Sequence, residues 1–554
     1  MDRGLRLPLA LASLVALLTA SCTGGGDGQA EQADQVVTLV FGTGADPVSL
    51  DGVLVSDGES LRAVTQMFEG LVGLKPGSTE LAPALAESWE PEDDARSWTF
   101  DLRQGVTFHD GTPFNAQAVC FNFDRWHNFT GSFQRPDATY YWQTVFNGFA
   151  DGGGLGPSLY EGCEAIDEQT VRIDLTQPSA SFLPALALPS FTIASPTALD
   201  LYDADQGEVG EGGIFRPTSL YGTAHPTGTG PFRFREWRVG DRLVMERNPD
   251  YWGEAPGNIQ TLIFRPIGDN AARLQALQTG EIQGYDLVAP EDYATIRGDA
   301  QLQLLARPPF NVAYLGINQG MPPLEDIRVR QAIAHAINRQ AIIDGFYVGQ
   351  GEVAHEFMPP SLFGYADDVA TYDYNPDRAR QLLDEAGYTA DPVEITFAFP
   401  SSDGARPYMP DPRANYEAMK ADLEAVGFRL RTDSAPWRPD YLGKVHTGQY
   451  GLYLLGWTGE IGDPDNFIGT FFQAPQQQWG FFNPEIFALL NDAERETDPT
   501  RRTELYQQAN RLIMDFLPGL PYAHSKPALA LQANIHGYIP SPATLEPFAL
   551  VTVT

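Results

Sequence analysis

Short hydrophobic runs of strand type occur at 36–41, 98–102, 171–175 and 243–246. They alternate along the chain with stretches whose apolar positions recur at helical spacing. This alternation predicts a mixed α/β protein rather than a sandwich or a bundle. Three helix starts are marked by a side-chain acceptor ahead of the first turn: Asn115 before AQAVCFNFDRW, Asp269 before NAARLQALQTGEI, and Asn375 followed by Pro376. Gly387 and Gly427 stand where helix C-caps belong. No self-similar period of about 20–50 residues is visible, which argues against a solenoid or propeller. No long low-complexity linker separates two independent halves. The expectation is therefore lobes built from discontinuous segments, with the chain crossing between them more than once.

The N-terminus reads differently from the body. Arg3 and Arg6 precede a fourteen-residue apolar run, 7–20. The run is too short for the ~20 residues that span a bilayer and fits the core of a secretory signal. The residues LTASC, ending at Cys22, resemble the lipobox of bacterial lipoproteins, in which the cysteine is acylated and becomes the mature N-terminus. Residues 23–35 are small, polar and glycine-rich, the composition of a flexible leash. The expected layout is a signal over 1–21 and a lipid-anchored tether over 22–35, holding the body on the outer, extracytoplasmic face of the cytoplasmic membrane. The chain has three cysteines. With Cys22 given to lipid, Cys120 and Cys163 are left to pair as a disulfide in an oxidising compartment; two buried free thiols are the alternative.

Composition narrows the partners. The 554 residues carry 36 basic against 72 acidic side chains, a formal charge of −36. A surface this negative repels phosphate backbones, so nucleic acid is excluded as a partner. Catalytic motifs are missing: there is no GxSxG elbow, HExxH, CxxC or Walker-type GK[ST]. TGTGPF at 227–232 lacks the lysine of a phosphate cradle and reads as a strand-initiating turn. His109 and Asp110 have no third ligand near in sequence and read as a turn, as do Asp463 and Asp465 around Pro464. No cofactor, metal site or enzymatic activity is expected.

The segment LAESWEPEDDARSWTFDLRQGVTFHDGTPFNAQAVCFNFDRW, 85–126, resembles the signature region of the family 5 extracellular solute-binding proteins. GTGPFRFREW at 228–237, NPDYWGEAP at 248–256, VAYLGIN at 312–318 and IRVRQAIAHAINRQAII at 327–343 resemble the same family in the same order. The resemblance implies a two-lobed periplasmic-binding-protein-like fold of the type II, peptide-binding cluster C kind. It also implies a monomeric receptor that delivers solute to an ABC permease and its ATPase. The lobes are expected at 36–310 with 525–554, carrying an additional subdomain, and at 311–524, with a hinge at the crossover strands 311–318 and 519–525.

Within the family, RPYMPDPR at 406–413 and GWTGEIGDPDNF at 456–467 resemble the dipeptide-binding proteins. That resemblance gives Arg406 the ligand's terminal carboxylate and Glu460 its amine, with Glu460 replacing the aspartate the pattern expects. Tyr408, Trp457 and Gly459 are further candidates for the ligand cleft. The pairing makes chemical sense because a free peptide is a zwitterion, and burying either end unpaired costs several kcal/mol. Arginine offers a carboxylate two parallel hydrogen bonds that lysine cannot. Two extended residues span at most ~7 Å, so fixed charges at both ends measure length without reading side chains. The expected ligand is a short peptide, a dipeptide first. An oligopeptide, an opine-like conjugate, a nickel chelate or a sugar on the same scaffold, or a surface sensor lipoprotein without an importer, are the alternatives.

Overall fold

The computed structural model describes residues 36–92, 96–210, 213–388, 392–401 and 406–554. The signal segment, Cys22 and most of the tether lie outside the described residues. Among those described, no helix is long and apolar enough to cross a membrane.

Three larger sheets organise the body. A seven-stranded mixed sheet has the spatial order Phe232–Arg238, Arg242–Arg247, Thr261–Pro266, Thr38–Thr43, Gly284–Tyr285, Ala528–Gln532 and Leu302–Ala306. It thus joins the start of the described chain to its C-terminal part. A six-stranded sheet runs Gly351–Glu352, Gly519–Ser525, Asn311–Ile317, Leu452–Thr458, Val393–Pro400 and Phe428–Ala435. A four-stranded antiparallel sheet, Ala86–Pro91, Ser97–Leu102, Thr170–Leu175 and Tyr160–Ala165, has its own core. Thr170–Leu175 buries every second residue, the signature of a strand with one face on a core. Asn311–Ile317 and Gly519–Ser525 are buried at every position because both faces of the sheet are covered.

The helix starts follow the local signals. Asn115, Asp269 and Asn375 each accept a hydrogen bond from the backbone N–H three residues on, at 3.0, 2.8 and 3.0 Å. Gly427 closes Pro412–Val426 at φ 115°, a conformation only glycine adopts without strain. Cys120 on helix Ala116–His127 is bonded to Cys163 on strand Tyr160–Ala165, with Cα atoms 5.3 Å apart.

The chain passes between the two large sheets at 307–310 and again at 526–527, and side chains tie the passages together. Asn311 donates through Nδ2 to the carbonyl of Ser525 and accepts from its N–H, both at 2.9 Å. The C-terminal segment is fixed by a buried ion cluster. Arg62 and Arg307 both contact Asp286, Arg307 Nε donates to Glu546 at 2.6 Å, and Arg62 lies 3.5 Å from the other Glu546 oxygen. All four residues are buried.

Candidate ligand-binding site

Strand directions place the candidate residues at one edge. Val393–Pro400 is parallel to Phe428–Ala435 and to Leu452–Thr458, and Asn311–Ile317 is antiparallel to both Leu452–Thr458 and Gly519–Ser525. Four strands therefore deliver their carboxyl ends to the same side of the six-stranded sheet, where ligand crevices form in open α/β sheets. Arg406 follows the first of these strands, Trp437 the second, Glu460 the third, and Ser525 ends the fourth. Arg406 opens a tight turn in which it and Met409 exchange backbone hydrogen bonds of 3.0 and 2.9 Å. Pro407 sits at the second turn position, where its fixed φ is pre-set. The guanidinium lies over the Trp437 ring, 3.9 Å from the centroid. Arg406 and Pro407 line a cavity of about 330 Å³ whose other walls are Asn270, Arg273 and Tyr293 from the seven-stranded side and Ser525 at the crossover. That volume suits a small organic ligand.

Glu460 is set by a loop held by hydrogen bonds and an ion pair. Its N–H and that of Ile461 donate to Asn466 Oδ1 at 2.8 and 3.3 Å. Asp463 accepts from Asp465 N–H and forms a buried bidentate pair with Arg502 at 2.5 and 2.9 Å. The Glu460 carboxylate accepts a 2.9 Å hydrogen bond from the hydroxyl of buried Tyr141, on helix Tyr140–Phe146. Burial pushes the Glu460 carboxyl up to about 7, against the opposing hydrogen bonds from Tyr141 and Asn466. A carboxyl whose folded pKa is raised stabilises the fold below its unfolded pKa, and that contribution is lost as pH rises through about 7. Glu460→Gln is therefore expected to melt about one to two degrees above the parent at pH 8, with the gap closing by pH 4. Parallel melting curves across that range check it, and a gap independent of pH defeats it.

The remaining candidates are packed. Tyr408 is buried in the core; its ring occupies the space beside Gly456, where a Cβ would approach to 2.3 Å, and its carbonyl accepts from the Tyr347 hydroxyl at 2.9 Å. Gly459 leaves room for Phe310 and Phe467, whose rings a Cβ would meet at 2.5 and 2.7 Å. Gly456 and Gly459 thus make room for aromatic rings. Trp457, half-buried, packs edge-on against Phe471 at 6.0 Å, and its buried Nε1 has no hydrogen-bond partner. His109 Nε2 bonds the Gly230 carbonyl at 3.0 Å, and Asp110 accepts from Thr112 N–H and Ser195 Oγ, a turn. Among the described residues no group of three or more His, Cys, Asp or Glu is arranged to hold a metal ion. Tyr141, Arg273 and Arg502 carry no motif, and nothing local in the sequence marks them.

Residues 80–479 match the family model of the bacterial extracellular solute-binding proteins, family 5. The chain belongs to this family. The dipeptide-binding protein of Escherichia coli K12 is 33 % identical over 531 residues, covering 94 % of this chain and 95 % of that one. Heme-binding protein A of Haemophilus influenzae is 32 % identical over 535 residues, covering 93 % and 92 %. The solved periplasmic binding protein DppA of Helicobacter pylori, in complex with the peptide STSA, superposes with a TM-score of 0.73 at 26 % identity, covering 93 % of this chain and 98 % of its own. As a family 5 member the chain is a non-enzymatic, extracytoplasmic solute-binding protein of the ABC-transporter type.

Proposed function

We propose that the chain captures short peptides, dipeptides first, and hands them to an importer while tethered to the membrane through an acylated Cys22. In this reading the segments 36–310 with 525–554 and 311–524 act as two lobes, and the paired crossover strands are the hinge. Arg406 holds the ligand's terminal carboxylate and Glu460 its ammonium. The observation that carries the reading is the position of Arg406 on the wall of a cavity shared by the two large sheets, with Glu460 at the end of a neighbouring strand of the same edge. The guanidinium over Trp437 is a planar fork, a shape suited to a carboxylate. The LTASC sequence supports the anchor.

Calorimetry with one dipeptide and its N-acetylated and C-amidated forms tests the proposal. Each blocked end is expected to weaken binding at least about tenfold, since each removes the charge-assisted hydrogen bonds that the free end would make. Equal affinity for all three forms defeats it.

A further inference from the structure

The buried arginines fall into distinct sets. Arg62, Arg125, Arg307 and Arg502 are each paired with carboxylates. Arg330 and Arg339 are satisfied by backbone carbonyls, four and three respectively. Arg273 belongs to neither set. It is 6 % exposed, yet it lines the same cavity as Arg406. Its Nη atoms donate to the Ile267 carbonyl and Asn270 Oδ1, its Cζ lies 5.8 Å from the centroid of the Tyr285 ring, and its Nε–H has no hydrogen-bond partner.

Among the described residues the carboxylates whose charge reaches it, Glu59, Asp286 and Asp269, are each held by other groups. Glu59 accepts from Gly44 N–H and pairs with Arg62; Asp286 is held by Arg62 and Arg307; Asp269 caps its own helix. Glu291 also lines the cavity but is exposed to water. Among the described residues Arg273 has no ion pair. Burial lowers its pKa, outweighing the opposing pull of Tyr285, Glu59, Asp286 and Asp269. A buried cation kept in this state at a cavity wall favours a ligand that brings its own negative charge.

Resting on the peptide reading above, we infer that Arg273 binds a second carboxylate of the ligand, so that the preferred substrates are acidic peptides whose side-chain carboxylate lies on Arg273 while the terminal one lies on Arg406. Ala-Glu and Ala-Gln, equal in shape and different in charge, are the probes. Calorimetry of the wild-type protein is expected to give at least about tenfold tighter binding of Ala-Glu, and Arg273→Gln is expected to bring that ratio to about one. Equal affinities in the wild type, or a preference that survives Arg273→Gln, overturns the inference and leaves the peptide reading standing. Failure of the wild type to bind either peptide overturns both. Should Arg273→Gln fold poorly, Arg273→Met takes its place with the same expected loss of the Ala-Glu preference, and a preference that survives it overturns the inference.

Discussion

Asp286→Ala is expected to lower the stability of the protein by about 3–5 kcal/mol, the usual cost of removing one partner from a buried ion cluster. The arithmetic is of charge, not of contact area. In the parent protein two buried guanidinium groups, Arg62 and Arg307, face two buried carboxylates, Asp286 and Glu546, and Arg62 also pairs with the half-buried Glu59. Without Asp286, Arg62 is left with Glu59 and the longer Glu546 contact and Arg307 with Glu546 alone, and the buried N–H groups that faced Asp286 lose their acceptor. Asp286→Asn keeps the shape and is expected to cost nearly as much, which separates charge from cavity formation. Burial by itself would raise the Asp286 carboxyl, but Arg307 and Arg62 outweigh it and hold the group well below the usual carboxylate range. A depressed folded pKa contributes stability that is complete above about pH 4 and is lost as pH falls towards the folded value. Urea unfolding at pH 7 and pH 3 therefore should show the penalty of Asp286→Asn shrinking in acid. A penalty below about 1 kcal/mol at pH 7 contradicts this account of the cluster.

Arg406→Ala is expected to cost about 2–5 kcal/mol of peptide affinity, roughly 30- to several-thousand-fold, while changing stability little. The half-buried guanidinium is held over Trp437, and losing an arrangement of this kind costs about 0.5–1 kcal/mol. The ligand's carboxylate, by contrast, would enter the cavity with its charge unpaired. Arg406→Lys is expected to fall between the two, since an ammonium keeps the charge but loses the planar fork and the stacking. Calorimetry beside thermal melting checks both halves of the statement. Unchanged affinity for Arg406→Ala removes the residue from the site, and a collapse of melting temperature reassigns it to the fold.

Features with a local physical cause were readable from the chain. Asn115, Asp269 and Asn375 cap helices because a short polar acceptor next to a helical pattern satisfies an orphan N–H within three residues. The pairing of Cys120 with Cys163 followed from compartment and count. Arg406 and Glu460 are legible only through resemblance to a family, and the side chains that meet them from distant segments, Trp437 and Tyr141, carry no local signal. Tyr141 meets Glu460 across 319 positions of sequence. Arg62 and Glu546 meet across 484. Such contacts are made by tertiary packing and leave no periodicity to detect. Tyr408 shows the same gap at short range: two residues from Arg406, its ring is turned into the core by the space that Gly456 leaves.

The register between Leu302–Ala306 and Ala528–Gln532 has a topological meaning. The two strands are antiparallel, Ala306 faces Ala528, and Arg307 N–H still bonds the Pro527 carbonyl at 2.9 Å. Residues 308–526 thus occupy the place of a tip loop on an ordinary β-hairpin. The two stubs of that loop leave the host about one strand spacing apart, ~5 Å. This is the geometry by which a folded module is grafted into a surface turn without disturbing the pairing of its host, and by which it can be lifted out again.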